Sequence, residues 1–187
     1  MRRAAFLFAC AAAALAAPPA FQLRDTQGVL HTQAEFAGRK AVVLFFTTTD
    51  CPIANSYVPE MNRIHDAYSS RGVLFYAVQT DLTIPEAAVA KYAHDFNYAY
   101  PLLLDPAQQL VHLTGASVTP QAAILASDGK LLYLGRVDNR VEDFGKQRLT
   151  PTVLDLRNSL DAILAGKPAP HATTKSVGCA ITLGSKP

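Results

Sequence analysis

Residues 41–52 read AVVLFFTTTDCP, and this stretch contains the predicted centre of the fold and its candidate reactive side chain. The apolar run from Ala41 to Phe46 is typical of a central strand that is buried on both faces. Pro52 then favours the first turn of a helix, because a proline ring holds a helical φ and lacks the N–H that would be unsatisfied there. Cys51 is therefore predicted at the junction between a buried strand and a helix N-terminus.

A cysteine at such a junction lies where unsatisfied backbone N–H groups and the helix dipole favour an anion, so its thiolate is stabilised. A thiolate is the nucleophile of both disulfide exchange and hydroperoxide reduction. The alternative is a buried structural cysteine, against which the polar residues from Thr47 to Asp50 argue. The carboxylate of Asp50 opposes thiolate formation, since like charges repel.

In the rest of the chain, segments with the apolar spacing of strands alternate with segments in which apolar residues recur about every 3.6 positions. This order predicts strands and helices in a single α/β domain. Two short strands are predicted within 21–31, and further strands at 73–78, 102–104, 121–125 and 130–137. The predicted helices begin at Pro52, cover 85–96, extend from Asp105 to Gly115, and cover 151–165. The domain is expected to span 18–166, followed by an irregular tail at 167–187 that carries Cys179.

The N-terminus predicts an export signal. Arg2 and Arg3 precede fourteen apolar residues, and Ala14-Leu15-Ala16 forms a cleavage pattern of small residues. As a helix this run would rise about 21 Å, short of the roughly 30 Å of a membrane core, so no stable membrane span is expected. We expect a cleaved signal at 1–17 and a periplasmic or secreted protein. A lipoprotein signal ending in Cys10 is the alternative.

Composition excludes several classes of function. Half of the 187 residues are hydrophobic and 17% are charged, which excludes a mainly disordered protein. Lys and Arg total 17 against 15 Asp and Glu, without a basic cluster, so nucleic acid is not an expected partner. The five histidines and three cysteines lack ligand spacing, so neither a metal nor another cofactor is expected.

Three motifs carry a resemblance to a known family: FFTTTDCP at 45–52, VTP at 118–120 and DG at 128–129. Together they resemble the thioredoxin-like superfamily, and most closely its redoxin branch of alkyl hydroperoxide reductases and thiol-specific antioxidant proteins, in exported form. The resemblance covers about residues 20–166. It implies a three-layer sandwich, in which a central mixed sheet has helices on both faces, with a reactive Cys51 opposite a cis-proline loop.

The resemblance also implies a thiol-based oxidoreductase in which Cys51 attacks a protein disulfide or a small hydroperoxide, with an external thiol as reductant. Thr48 matches the Thr-x-x-Cys pattern, and its hydroxyl is expected to contact the sulfur or a peroxide oxygen, or else to fill the strand surface. Thr119 and Pro120 are expected to bind an incoming extended segment. Arg136 is expected to supply a cation near the thiolate, or else to be a solvated surface arginine.

The position three residues after Cys51 is Ala54, so a Cys-x-x-Cys dithiol cannot form. Cys179 is predicted to be the redox partner instead, since it is the second cysteine that remains after signal removal. The thirteen steps from Gly166 reach roughly 40 Å, enough to return to the helix start, and Gly178 permits close backbone approach. A purely structural disulfide and an exposed Cys179 that pairs between chains are the alternatives.

Two functions of other classes stay open. The Sco-type copper chaperones share the expected fold, but they use Cys-x-x-x-Cys, and the position four residues after Cys51 is Asn55. The other is a catalytically silent redoxin that serves in protein interaction. Leu44 replaces the proline that peroxidatic sites of the family have four residues before the threonine, and this departure argues against hydroperoxide reduction.

Overall fold

The computed structural model describes residues 21–184, so the predicted signal peptide and Cys10 lie outside the described residues. The strands are β1 (Gln22–Asp25), β2 (Leu30–Thr32), β3 (Ala41–Thr47), β4 (Val73–Gln79), β5 (Leu102–Leu104), β6 (Val118–Thr119), β7 (Gln121–Leu125), β8 (Leu131–Gly135), β9 (Val141–Asp143), β10 (Lys146–Gln147) and β11 (Cys179–Ala180). The α-helices are α1 (Pro52–Tyr68), α2 (Glu86–Asp95), α3 (Gln109–Thr114) and α4 (Asp155–Leu164). Within residues 21–184, no helix combines the length and the apolar character needed to cross a membrane.

Seven strands form one mixed sheet in the order β2-β1-β5-β4-β3-β7-β8. Strand β3 lies near its middle, parallel to β4 on one side and antiparallel to β7 on the other. Strands β7 and β8 form the predicted antiparallel hairpin. The expected mixed sheet is confirmed.

Side chains of β3 alternate between two hydrophobic clusters, because successive residues of a strand point to opposite faces. On one face Phe45 belongs to the same cluster as Met61 of α1 and Leu160 of α4. On the other face Phe46 belongs to the same cluster as Leu110 of α3. Every residue of β3 is buried, as its apolar run predicts, and the two clusters produce the expected three layers.

Helix α3 begins at Gln109, four residues later than predicted. The carboxylate of Asp105 accepts hydrogen bonds from the backbone N–H groups of Gln109 and Leu110, at 2.7 and 2.9 Å. Gln108 has a left-handed backbone with φ of 50°, which a regular helix does not permit. The predicted start at Asp105 is therefore wrong, because this residue caps the helix from outside.

Helix α4 begins at Asp155, whereas the pattern predicted a start at 151. The side-chain oxygen of Asn139 accepts the backbone N–H groups of Thr152 and Val153, at 2.8 and 3.0 Å. These residues are thus held by Asn139 in the loop that precedes α4, and the predicted start at 151 is wrong.

The tail packs along the domain. It first runs beside β8, where Leu134 N donates to Ala172 O at 3.0 Å and Thr174 N donates to Leu134 O at 3.2 Å. It then crosses to β6, with which β11 pairs in antiparallel fashion. The tail thereby covers the β8 edge of the sheet and places Cys179 beside the loop that contains Pro120.

Candidate active site

Cys51 lies directly after β3 and before α1, as the sequence predicts. Its backbone is extended (φ −89°, ψ 105°), and Pro52 is the first residue of the helix. Asn55 N donates to Cys51 O at 2.9 Å, which is the first hydrogen bond of the helical pattern. The side chain is thus placed at the end of the helix that favours negative charge.

Cys51 is 0% exposed, whereas the polar residues before it argued against burial. Those residues satisfy one another: the hydroxyls of Thr48 and Thr49 donate to Asp50 Oδ1 at 3.2 and 2.9 Å. The returning tail then places Cys179 against the sulfur. The expectation of an unburied cysteine is therefore wrong, because a segment distant in sequence covers it.

The sulfurs of Cys51 and Cys179 lie 2.6 Å apart, although 128 positions separate the two residues in sequence. In the pairing of β11 with β6, Cys179 is opposite Thr119 and Ala180 is opposite Val118. Thr119 O also lies 3.1 Å from Cys51 Sγ. The structure therefore brings together both cysteines and Thr119.

The close approach of the tail depends on Gly178. A Cβ on this residue would lie 2.0 Å from Thr119 O and 3.1 Å from Pro120 N. Both are backbone atoms, which cannot move aside as the end of a flexible side chain can. The Thr119–Pro120 peptide bond is cis, as the resemblance implies.

The two thiols differ in acidity. Burial raises the pKa of Cys51, but the Cys179 thiol and the backbone N–H of Ala54 stabilise its thiolate, and the net pKa lies below the ordinary value. Burial, the hydrogen bond to Cys51 and the negative charges of Cys51 and Asp50 raise the pKa of Cys179 to about 11. Cys51 therefore ionises first and is the better nucleophile near neutral pH, while Cys179 keeps its proton.

Titration of the reduced chain is expected to show two separate thiolate steps, because the negative charge of the first thiolate opposes ionisation of the second thiol. The first step belongs to Cys51, with a midpoint below that of a free cysteine. Thiolate absorbance in the ultraviolet measures both steps in a chain whose Cys10 is replaced by Ala. Cys179→Ala is expected to raise the first midpoint, because it removes an S–H donor. A first midpoint at or above that of free cysteine would contradict this assignment.

Partly buried hydroxyl and amide groups hold the loop that follows β3. Tyr92 OH donates to Asn55 Oδ1 at 2.8 Å and lies 3.0 Å from Tyr98 OH. Asn55 Nδ2 donates in turn to Thr49 O at 2.9 Å, and Tyr98 OH donates to Thr47 Oγ1 at 3.4 Å. No sequence motif marks these positioning residues, because isolated tyrosines are common in cores and their partners here are distant in sequence.

Two predicted site residues have other partners. The Thr48 hydroxyl donates to Asp50. Arg136 Nε donates to Asp155 Oδ2 at 2.7 Å, and the Asp155 side chain is buried at the start of α4. Contact of Thr48 with the sulfur or an oxidant, and of Arg136 with a substrate, stays a prediction.

Among residues 21–184, no three His, Cys, Asp or Glu side chains are grouped so that they could hold a metal ion.

The fold defines a thioredoxin-like protein, and its candidate site has a cysteine at a helix N-terminus. Residues 12–148 match the Redoxin family model. The chain belongs to the Redoxin family, in agreement with the resemblance seen in its motifs.

Solved structures and curated proteins include similar chains. A hypothetical protein from Sinorhizobium meliloti 1021 superposes with a TM-score of 0.76 at 26% identity, over 88% of this chain and 91% of that one. An uncharacterized conserved protein from Geobacillus kaustophilus does so with a TM-score of 0.75 at 26% identity, over 89% of both chains. The thiol-disulfide oxidoreductase ResA of Geobacillus thermodenitrificans is 29% identical over 113 residues, which are 60% of this chain and 63% of that protein. The match thus spans less than two thirds of this relative.

Proposed function

We propose that this chain is an exported thiol-disulfide oxidoreductase in which Cys51 is the nucleophile and Cys179 is the second thiol. The observation that carries the proposal is the 2.6 Å separation of the two sulfurs, with Cys51 at a helix N-terminus. The lowered pKa of Cys51 and the raised pKa of Cys179 support this division of roles. The relatives named thiol-disulfide oxidoreductase support the same class of reaction.

The exchange proceeds in two steps. The Cys51 thiolate attacks one sulfur of the substrate disulfide, the substrate S–S bond breaks, and the other substrate sulfur leaves as a thiolate. Cys179 gives its proton to that thiolate, and its sulfur attacks Cys51 Sγ, which releases the second substrate thiolate. Cys51 and Cys179 are thereby oxidised to a disulfide, while the substrate disulfide is reduced to a thiol and a thiolate, which takes its proton from water. An external thiol reductant restores the pair.

Disulfide exchange fits the surroundings of the sulfur better than hydroperoxide reduction does. The backbone of Thr119 lies beside Cys51. A substrate chain that carries a disulfide can form backbone hydrogen bonds with it. The Thr48 hydroxyl, which the resemblance assigns to a peroxide oxygen, donates to Asp50 instead.

Export is supported by the N-terminal sequence. A signal at 1–17 would direct the domain at 18–166 and the tail at 167–187 out of the cytoplasm. In an exported protein a disulfide between Cys51 and Cys179 can persist. The intact mass of the mature protein tests the cleavage position, and a lipid adduct on Cys10 would indicate the lipoprotein alternative.

Cys179→Ser is expected to trap the intermediate of the exchange. With dithiobis(nitrobenzoate), the reduced parent chain should release two equivalents of thionitrobenzoate and end as the Cys51–Cys179 disulfide, without a retained adduct. The Cys179→Ser chain should release one equivalent and keep a thionitrobenzoate group on Cys51. Absorbance and intact mass measure both results.

Every chain in this experiment carries Cys10→Ala, so that released thionitrobenzoate reports the other two cysteines. A Cys179→Ser chain that keeps no adduct would contradict the role of Cys179. A parallel arm with a small hydroperoxide tests the competing activity. Faster oxidation by the hydroperoxide than by the disulfide would assign a thiol peroxidase instead.

A further inference from the structure

The segment that carries Cys179 lies on the domain as an extended strand bound through its backbone. Strand β11 pairs with β6, and beyond it Ile181 N donates to Ser117 O at 2.9 Å. Backbone contacts of this kind carry little sequence information. Another extended segment can therefore form them in place of the tail.

Gln108 continues this line of backbone contacts. Its Nε2 donates to Thr182 O at 2.9 Å and to Thr80 O at 3.0 Å, and its Oε1 accepts from Gly184 N at 2.9 Å. Gln108 is 1% exposed, so its amide is held in a defined orientation. One side chain thus binds both a carbonyl and an N–H of the extended tail while it is anchored to the loop after β4.

Two positions of the bound strand are sensitive to side-chain size and polarity. Any side chain at Gly178 would meet the backbone of Thr119. Ile181 packs against the hydrophobic cluster that contains Phe46 and Leu110. The groove therefore suits a small residue directly before the cysteine and an aliphatic residue two positions after it.

We propose that residues 117–119 and Gln108 select, among extended cysteine-bearing segments of substrate proteins, those with a small residue directly before the cysteine and an aliphatic residue two positions after it, and that Gln108 clamps the backbone of the selected segment. The tail occupies the groove between turnovers. In the mixed disulfide with Cys51, the substrate cysteine lies where Cys179 lies here, and the returning tail displaces it. This inference rests on the proposed function and names the substrate features and the clamping residue for that site.

Synthetic peptides test the groove directly. The probe copies residues 175–184, KSVGCAITLG, with its cysteine activated as a mixed disulfide with thionitrobenzoate. The full chain with Cys10→Ala and Cys179→Ser is mixed with it, so the Cys51 thiolate attacks the peptide sulfur and thionitrobenzoate leaves. Control peptides carry Val in place of the Gly, or Ser in place of the Ile.

The copied peptide is expected to react about tenfold faster than the Val peptide, because displacement of the strand loses backbone hydrogen bonds. The Ser peptide should react more slowly as well, since it loses apolar burial. Gln108→Met is expected to reduce the ratio between the copied peptide and the Val peptide.

Equal rates for all three peptides, with normal reaction toward dithiobis(nitrobenzoate), would overturn the groove assignment and leave the proposed function standing. No reaction with any disulfide would overturn both. In the Cys10→Ala chain, a dimer with Cys51 of one copy joined to Cys179 of another would assign the groove to a second copy, and so would also overturn the proposal.

Discussion

Cys51→Ser is expected to reduce disulfide exchange to the uncatalysed background while the fold stays intact. A serine hydroxyl is nearly isosteric with the thiol but far less acidic, so no nucleophilic anion forms at neutral pH. Cys179 does not substitute for it, because burial and the negative charge of Asp50, which both remain in this variant, still oppose ionisation of its thiol. Turnover of a small disulfide with excess reductant measures the loss, and thermal unfolding measures the fold.

The matched control is Cys10→Ala alone, which should leave turnover unchanged. Residual turnover at the parent rate in Cys51→Ser would show that another group performs the chemistry. A large fall in the unfolding temperature of the Ser chain would assign Cys51 a structural role instead.

Gly178→Val is expected to separate the two cysteines. Its Cβ would lie 2.0 Å from Thr119 O, so the tail must leave its place beside β6. In a thiol redox buffer, the equilibrium constant for the Cys51–Cys179 disulfide should fall by at least about tenfold, because the strand's backbone hydrogen bonds no longer favour the closed form. Cys51 should also become open to alkylation, since it is buried when the tail is in place.

Ala180→Val is the matched control, because Ala180 belongs to the same strand but is exposed. This chain should keep the parent disulfide equilibrium and the protection of Cys51. If Gly178→Val behaved like Ala180→Val, the tail would reach Cys51 without the close approach at Thr119, and the geometric argument would be wrong.

The sequence by itself determines the strand–helix junction at Cys51. The interactions that define it are local: a run of apolar residues forms β3, and Pro52, five residues after the strand ends, begins the next helix. The hairpin of β7 and β8 is local in the same sense, since the Asp128-Gly129 turn and the flanking strands are adjacent in sequence. Short-range patterns of this kind account for the correctly predicted fold class.

Sequence patterns predict the first residue of a helix less accurately than they predict the helix itself. Asp105 is followed by a proline, which suits a helical first turn, but its carboxylate instead caps α3 from outside. Asn139 holds the backbone of Thr152 and Val153 from thirteen and fourteen residues away. Apolar periodicity contains no information on such side-chain contacts.

Only the tertiary structure decided the environment of the Cys51 sulfur. Chain length shows that Cys179 can reach Cys51, but not that it does so in register with Thr119. That register depends on the absent side chain of Gly178 and on Gln108, which binds Thr182 from 74 residues away. Burial of the sulfur follows from these long-range contacts, because a polar loop cannot by itself exclude solvent from its own cysteine.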